Sequence, residues 1–130
     1  MNSPPSDPAP QSPDLFTIER HGDLTLITAS PRLESLDSSM EQNVVDLILS
    51  PLRHQNGPQV VFDLTGVEYF GSMFLAVLLR CWKLITSTGG SLVLAGVTPQ
   101  AKELLRITSL DLMWPMYKDR REAMNALESD

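Results

Sequence analysis

Residues 60–95 fix most of what this chain can become. Val60-Val61-Phe62-Asp63-Leu64 and Ser91-Leu92-Val93-Leu94-Ala95 are short, nearly continuous apolar runs, the pattern of strands covered on both faces of a sheet. Between them Phe74, Val77, Leu78, Cys81 and Ile85 recur at helical spacing, and Gly89-Gly90 ends that stretch. The pattern therefore predicts strands over 60–64 and 91–95 and a helix over 72–86. A strand, helix and strand in this order form a parallel pair joined by a right-handed crossover.

The flanking residues extend the unit in both directions. Phe16, Ile18, Leu24 and Leu26 alternate with polar residues about His21-Gly22-Asp23, which predicts a β-hairpin. Ser38-x-x-Glu41 has the form of a capping box, leading into Met40, Val44, Leu47 and Ile48 on one helical face, with Pro51 closing the helix. Thr98-Pro99 supplies an N-cap and a first-turn proline for a helix reaching Leu105 or Ile107. Met113 to Tyr117 reads as a last strand, and Pro115 within it confines that strand to a sheet edge. Asp119-x-x-Glu122 caps a final helix carrying Ala123, Ala126 and Leu127. The expected architecture is a single α/β domain over residues 15–127, a mixed sheet of four to five strands with about four helices packed on it.

Residues 1–14 hold five of the ten prolines and, after Met1, no aliphatic side chain larger than Ala. Such a stretch cannot bury enough surface to offset chain entropy and is expected to be a disordered tail, with recognition as a polyproline segment as the lesser alternative. The formal charge of −6 and pI near 4.8 argue against nucleic acid or anionic lipid as a direct ligand, since both call for clustered Lys and Arg. One cysteine, Cys81, precludes an internal disulfide framework and is expected to act as a buried hydrophobe. His21 and His54 fall in predicted loops with no second ligand at metal spacing. No apolar run approaches the length of a membrane span, and the N-terminal residues lack a basic and an apolar secretory region. The expectation is a cytoplasmic protein without membrane insertion, metal or cofactor.

Function concentrates at the turn before the central helix. Ser72 falls where an N-cap is needed, and a phosphate on it would sit beside the positive end of the helix dipole. Gly71 supplies either a backbone angle other residues resist or room for a partner's backbone. Met73, Ala76, Arg80 and Lys83 form the helix face left over after the core residues, apolar near the serine and basic further on, which suits contact with another protein. An enzyme is not expected. The residues two before and two after Ser72 are Phe70 and Phe74, not the glycines of a nucleophile elbow, and a phosphate-binding glycine loop is absent.

The run Val-Phe-Asp-Leu-Thr-Gly-Val-Glu-Tyr-Phe-Gly-Ser-Met-Phe-Leu-Ala-Val-Leu-Leu, followed by Gly89-Gly90-Ser91-Leu92-Val93-Leu94-Ala95-Gly96-Val97-Thr98-Pro99, resembles the STAS domain (sulfate transporter and anti-sigma factor antagonist). The likeness covers residues 15–127 in element order and 59–112 in sequence detail, with Thr108-Ser109-Leu110 approximating a Ser/Thr-Gly-Leu near the domain's close. It places the family's phosphoacceptor serine on Ser72 and its strand-end acid on Asp63. The family's Asp before the serine becomes Gly71, and its following Ser/Thr-Gly becomes Met73-Phe74. The resemblance implies an anti-sigma factor antagonist that binds a partner of the anti-sigma factor or serine kinase type and is released from it when Ser72 is phosphorylated. Gly71, Met73, Ala76, Asp63 and Arg80 are then the expected partner-binding residues. The alternative within the same fold is an unphosphorylated scaffold or an accessory subunit of a membrane transport assembly; homodimerisation stays open under both.

Overall fold

The computed structural model describes residues 15–128, so the tail expected over 1–14 lies outside them. Five strands follow one another across the sheet in chain order: β1 (Phe16–His21), β2 (Leu24–Ala29), β3 (Gln59–Asp63), β4 (Ser91–Ala95) and β5 (Met116–Tyr117). The first two pair antiparallel through a turn at Gly22, whose φ of +65° explains the glycine. Every later pairing is parallel, with Val61 beside Leu26 and Val93 in the middle of the sheet.

Monotonic strand order and right-handed crossovers together put every intervening helix on the same face. That is where α1 (Glu41–Leu49), α2 (Ser72–Ser87) and α3 (Pro99–Ile107) lie. Val44, Ile48, Phe74, Val77, Leu78, Cys81, Ile85, Ala101 and Leu105 are buried against Ile27, Val60, Phe62, Leu92 and Leu94. The opposite face, made of Leu24, Leu26, Val61, Val93 and Ala95, is covered by Ala123 and Leu127 of α4 (Arg120–Glu128). Alternation along a strand is what sorts Phe62 to one layer and Val61 to the other.

The expected elements are present, with local differences. The Ser38 capping box does not form. Instead Asp37 accepts from the Ser39 N–H at 2.9 Å and caps a 3-10 turn over Ser38–Met40, and α1 then begins at Glu41 without a side-chain cap. The bonds from the Ser39 hydroxyl and N–H hold the Asp37 carboxyl below its ordinary range. The last strand shrinks to Met116–Tyr117 at the sheet edge. Pro115, lacking an N–H, stands just outside it and still serves the ladder by accepting from Leu94 N–H at 2.9 Å. Trp114 turns inward and is buried.

Candidate functional site

Four aromatic rings set the position of the turn that carries Ser72. Phe74, in the first turn of α2, packs on Phe70 with centroids 4.9 Å apart, and on Phe62 of β3 and Phe16 of β1 at 6.2 Å each. Where the resemblance has a glycine after the serine, the bulk of Phe74 therefore goes into the core. Val67 and Phe70 bury the connection from below. Its backbone is tied by Leu64 N–H to Ala95 O at 2.8 Å, by Val67 N–H to Leu64 O at 3.0 Å, and by the Thr98 hydroxyl to Glu68 O at 3.0 Å. Thr98 also accepts from Ala101 N–H at 3.2 Å as the cap of α3, so one side chain joins the start of α3 to the loop before α2.

Ser72 is not the cap of α2. Gly71 takes the N-cap position with φ −105° and ψ −167°, without a side-chain cap bond, and Ser72 is the first helical residue, exposed to solvent. The Gly71 backbone is ordinary extended chain, and a Cβ built on it meets nothing within 4 Å. Neither backbone angle nor crowding inside the protein requires glycine there. Gly96 is the contrast: φ is +67° and a Cβ would collide with the Thr65 side chain and backbone.

Of the residues assigned to partner contact, Met73 and Ala76 are half-buried on α2, on the part of the helix not committed to the core. Arg80 lies two turns on. It donates to Glu41 Oε2 at 3.1 Å and to Gln42 Oε1 at 2.8 Å, which bridges α2 to the start of α1. It is exposed, but its donors are engaged within the protein.

Asp63 requires a correction. It is 2% exposed and, by strand alternation, points to the α4 side of the sheet, away from α2. Its Oδ1 accepts from Thr65 N–H at 3.0 Å and from the Thr65 hydroxyl at 2.6 Å, and its Oδ2 accepts from Arg120 Nε at 2.6 Å. Arg120 reaches on to Thr28 Oγ1 at 3.2 Å. A buried carboxylate must be paired, and this one holds the first residue of α4 and the start of the Ser72 loop to the sheet. Its lone pairs face inward, so it offers no partner contact.

One exposed side chain at this edge escaped the sequence reading. Tyr69 is 62% exposed between the buried Val67 and Phe70, three residues before Ser72. A solvent-facing aromatic on a loop braced at both ends is a common anchor of protein interfaces. Its signal was an aromatic breaking the burial pattern of the connection.

Cys81 is buried in the α2 core face, and desolvation pushes its thiol up to about 12. Among the described residues no three His, Cys, Asp or Glu side chains gather as metal ligands, and no helix is long and apolar enough to cross a membrane. A polar trough of about 650 Å³ lies at the opposite end of the sheet, lined by residues such as Arg20, His21, Asp23, His54 and Asn56. It shares no residue with the Ser72 turn.

Comparison with known proteins bears on this geometry. The family model of the STAS domain matches residues 8–123. The anti-sigma F factor antagonist of Paenibacillus polymyxa is 25% identical over 111 residues, which cover 85% of this chain and 92% of that protein. An anti-sigma-factor antagonist (STAS) domain protein from Planctomyces limnophilus superposes with a TM-score of 0.77 at 29% identity, covering 87% of this chain and 97% of the other. An anti-sigma factor antagonist from Mycobacterium paratuberculosis, at 24% identity and a TM-score of 0.63 over 90% of this chain and 97% of its own, is alike in fold alone.

Proposed function

The chain belongs to the STAS domain family, and from that premise we propose that it acts as an anti-sigma factor antagonist, binding a partner of the anti-sigma factor or serine kinase type through the Ser72 turn. The observation that carries this reading is the exposed Ser72 hydroxyl on the first turn of α2, beside an open Gly71, on a loop fixed from the core side. Phosphoryl transfer needs a hydroxyl that a kinase can reach, and partner recognition needs the surrounding surface to be held still. Gly71, Ser72, Met73 and Ala76 supply the contact surface, with Tyr69 as its aromatic member and Arg80 at its border.

Phosphorylation of Ser72 adds up to about two negative charges next to the unsatisfied N–H groups of the first helical turn. The helix accommodates that charge, so the fold survives, and the effect falls on the docked partner as bulk and repulsion. Similarity to the Paenibacillus polymyxa antagonist supports the antagonist role itself. A serine kinase of the anti-sigma factor type from the same organism, incubated with the purified chain and ATP, is expected to add one phosphate, absent from Ser72→Ala by intact-mass measurement. Equal phosphorylation of the Ser72→Ala protein sinks the assignment.

A further inference from the structure

The segment just before Gly71-Ser72 owes its polar anchorage to one side chain outside it. Val67 and Phe70 are buried, whereas Glu68 and Tyr69 between them face solvent. Among the described residues, the bond from the Thr98 hydroxyl to Glu68 O, at 3.0 Å, is the one hydrogen bond that residues 68–70 make with the rest of the chain. Thr98 itself belongs to a fixed frame. It follows the buried Val97 at the exit of β4, where Gly96 N–H donates to Tyr117 O at 3.0 Å, and it opens α3, which is seated by the buried Ala101 and Leu105. The loop therefore depends on Thr98 rather than the reverse.

The residue type is informative. As an N-cap, Asp serves at least as well as Thr. A hydroxyl, however, accepts from Ala101 N–H and donates to Glu68 O at a single atom, whereas an ionised carboxylate only accepts. Capping alone leaves Asp equally suited; bracing the loop from the same atom calls for a hydroxyl. We infer that Thr98 is a positioning residue for the Ser72 face. Its hydroxyl holds Tyr69 and the Gly71-Ser72 turn in the form a partner binds, so the start of α3 tunes the affinity of a surface to which it does not belong. This role deepens the docking function proposed above and rests on it. A loop held still before binding loses less conformational freedom on docking. The net worth of one hydrogen bond corresponds to roughly three- to tenfold in an equilibrium constant, which is the affinity at stake.

The test compares the full chain with Thr98→Asp, Thr98→Val and Thr98→Ser. Asp keeps the cap and loses the brace, Val loses both without adding charge, and Ser keeps both. Backbone nitrogen relaxation of each protein reports the loop directly. Order parameters at residues 68–71 are expected at about 0.85 in wild type and Thr98→Ser, falling toward about 0.6 in Thr98→Asp and Thr98→Val. Those of residues 101–105 should hold in Thr98→Asp, because its cap is intact. Titration calorimetry against the anti-sigma factor-type kinase of the same organism should show binding roughly three- to tenfold weaker for Thr98→Asp and Thr98→Val, and restored in Thr98→Ser. Unchanged order parameters in Thr98→Asp overturn the assignment, as does a loosened loop that binds as tightly as wild type. A wild-type chain that does not bind the kinase is a different failure: it sinks the docking role and takes the part of Thr98 with it.

Discussion

Removing the Asp63 carboxylate should destabilise the fold without touching the proposed partner surface. Two of its bonds come from Thr65, at 2.6 and 3.0 Å, into a site only 3% exposed. Hydrogen bonds to a charged group contribute about 1.5 kcal/mol each at the low end. The Arg120 pair adds no more than about 1 kcal/mol, because the guanidinium is 43% exposed and screened by water. Asp63→Ala is thus expected to cost about 3–4 kcal/mol, a large share of the roughly 5–15 kcal/mol typical of a domain. Asp63→Asn keeps an acceptor for Thr65 and should cost about half as much, and a cycle with Arg120→Met should isolate a coupling near 1 kcal/mol. Urea unfolding followed by circular dichroism measures all of these. A cost for Asp63→Ala within about 0.5 kcal/mol of zero, the scatter of surface substitutions, would refute the reasoning.

Three further outcomes follow from the same geometry. Gly96→Ala should cost more than about 2 kcal/mol, since its Cβ runs into Thr65 at a φ of +67°, whereas Gly71→Ala, with open space around it, should stay within about 0.5 kcal/mol of wild type. Gly71→Asp places a carboxylate at the uncapped start of α2 and should stabilise by a few tenths to about 1 kcal/mol, read as a raised urea midpoint. The Cys81 thiol, held up to about 12 in the core, should react with a disulfide reagent at pH 8 only as fast as the chain opens, and at once in denaturant.

The sheet and its helices were legible because two periodicities dominate the sequence. The apolar runs at 60–64 and 91–95 and the helical spacing from Phe74 to Ile85 admit one βαβ arrangement, and the structure has it at nearly those bounds. What was not legible depended on which of two neighbouring residues takes a cap position. Asp37 wins over Ser38 before α1, and Gly71 takes the cap position ahead of Ser72. These choices turn on a single residue's backbone angle, which composition does not determine. The resemblance makes Asp63 a partner contact, and its burial and pairing withdraw it for a different reason. The alternation that separates it from Phe62 is present in the sequence, but the side bearing α2 is settled only when Arg120, 57 residues away, is placed against it. Tyr69 and the Thr98–Glu68 link are likewise products of tertiary placement.

The central claim is that the face carrying Gly71, Ser72, Met73 and Ala76 is where a partner docks. Ala76→Arg tests it most directly, because the site is half-buried on a helix that tolerates arginine and lies apart from the core side chains. Titration calorimetry of the anti-sigma factor-type kinase against wild type and Ala76→Arg is predicted to show affinity lowered by about a hundredfold, as for loss of an interface hot spot, with unfolding unchanged. Equal affinity of the two proteins would contradict the account and move the docking surface elsewhere on the domain.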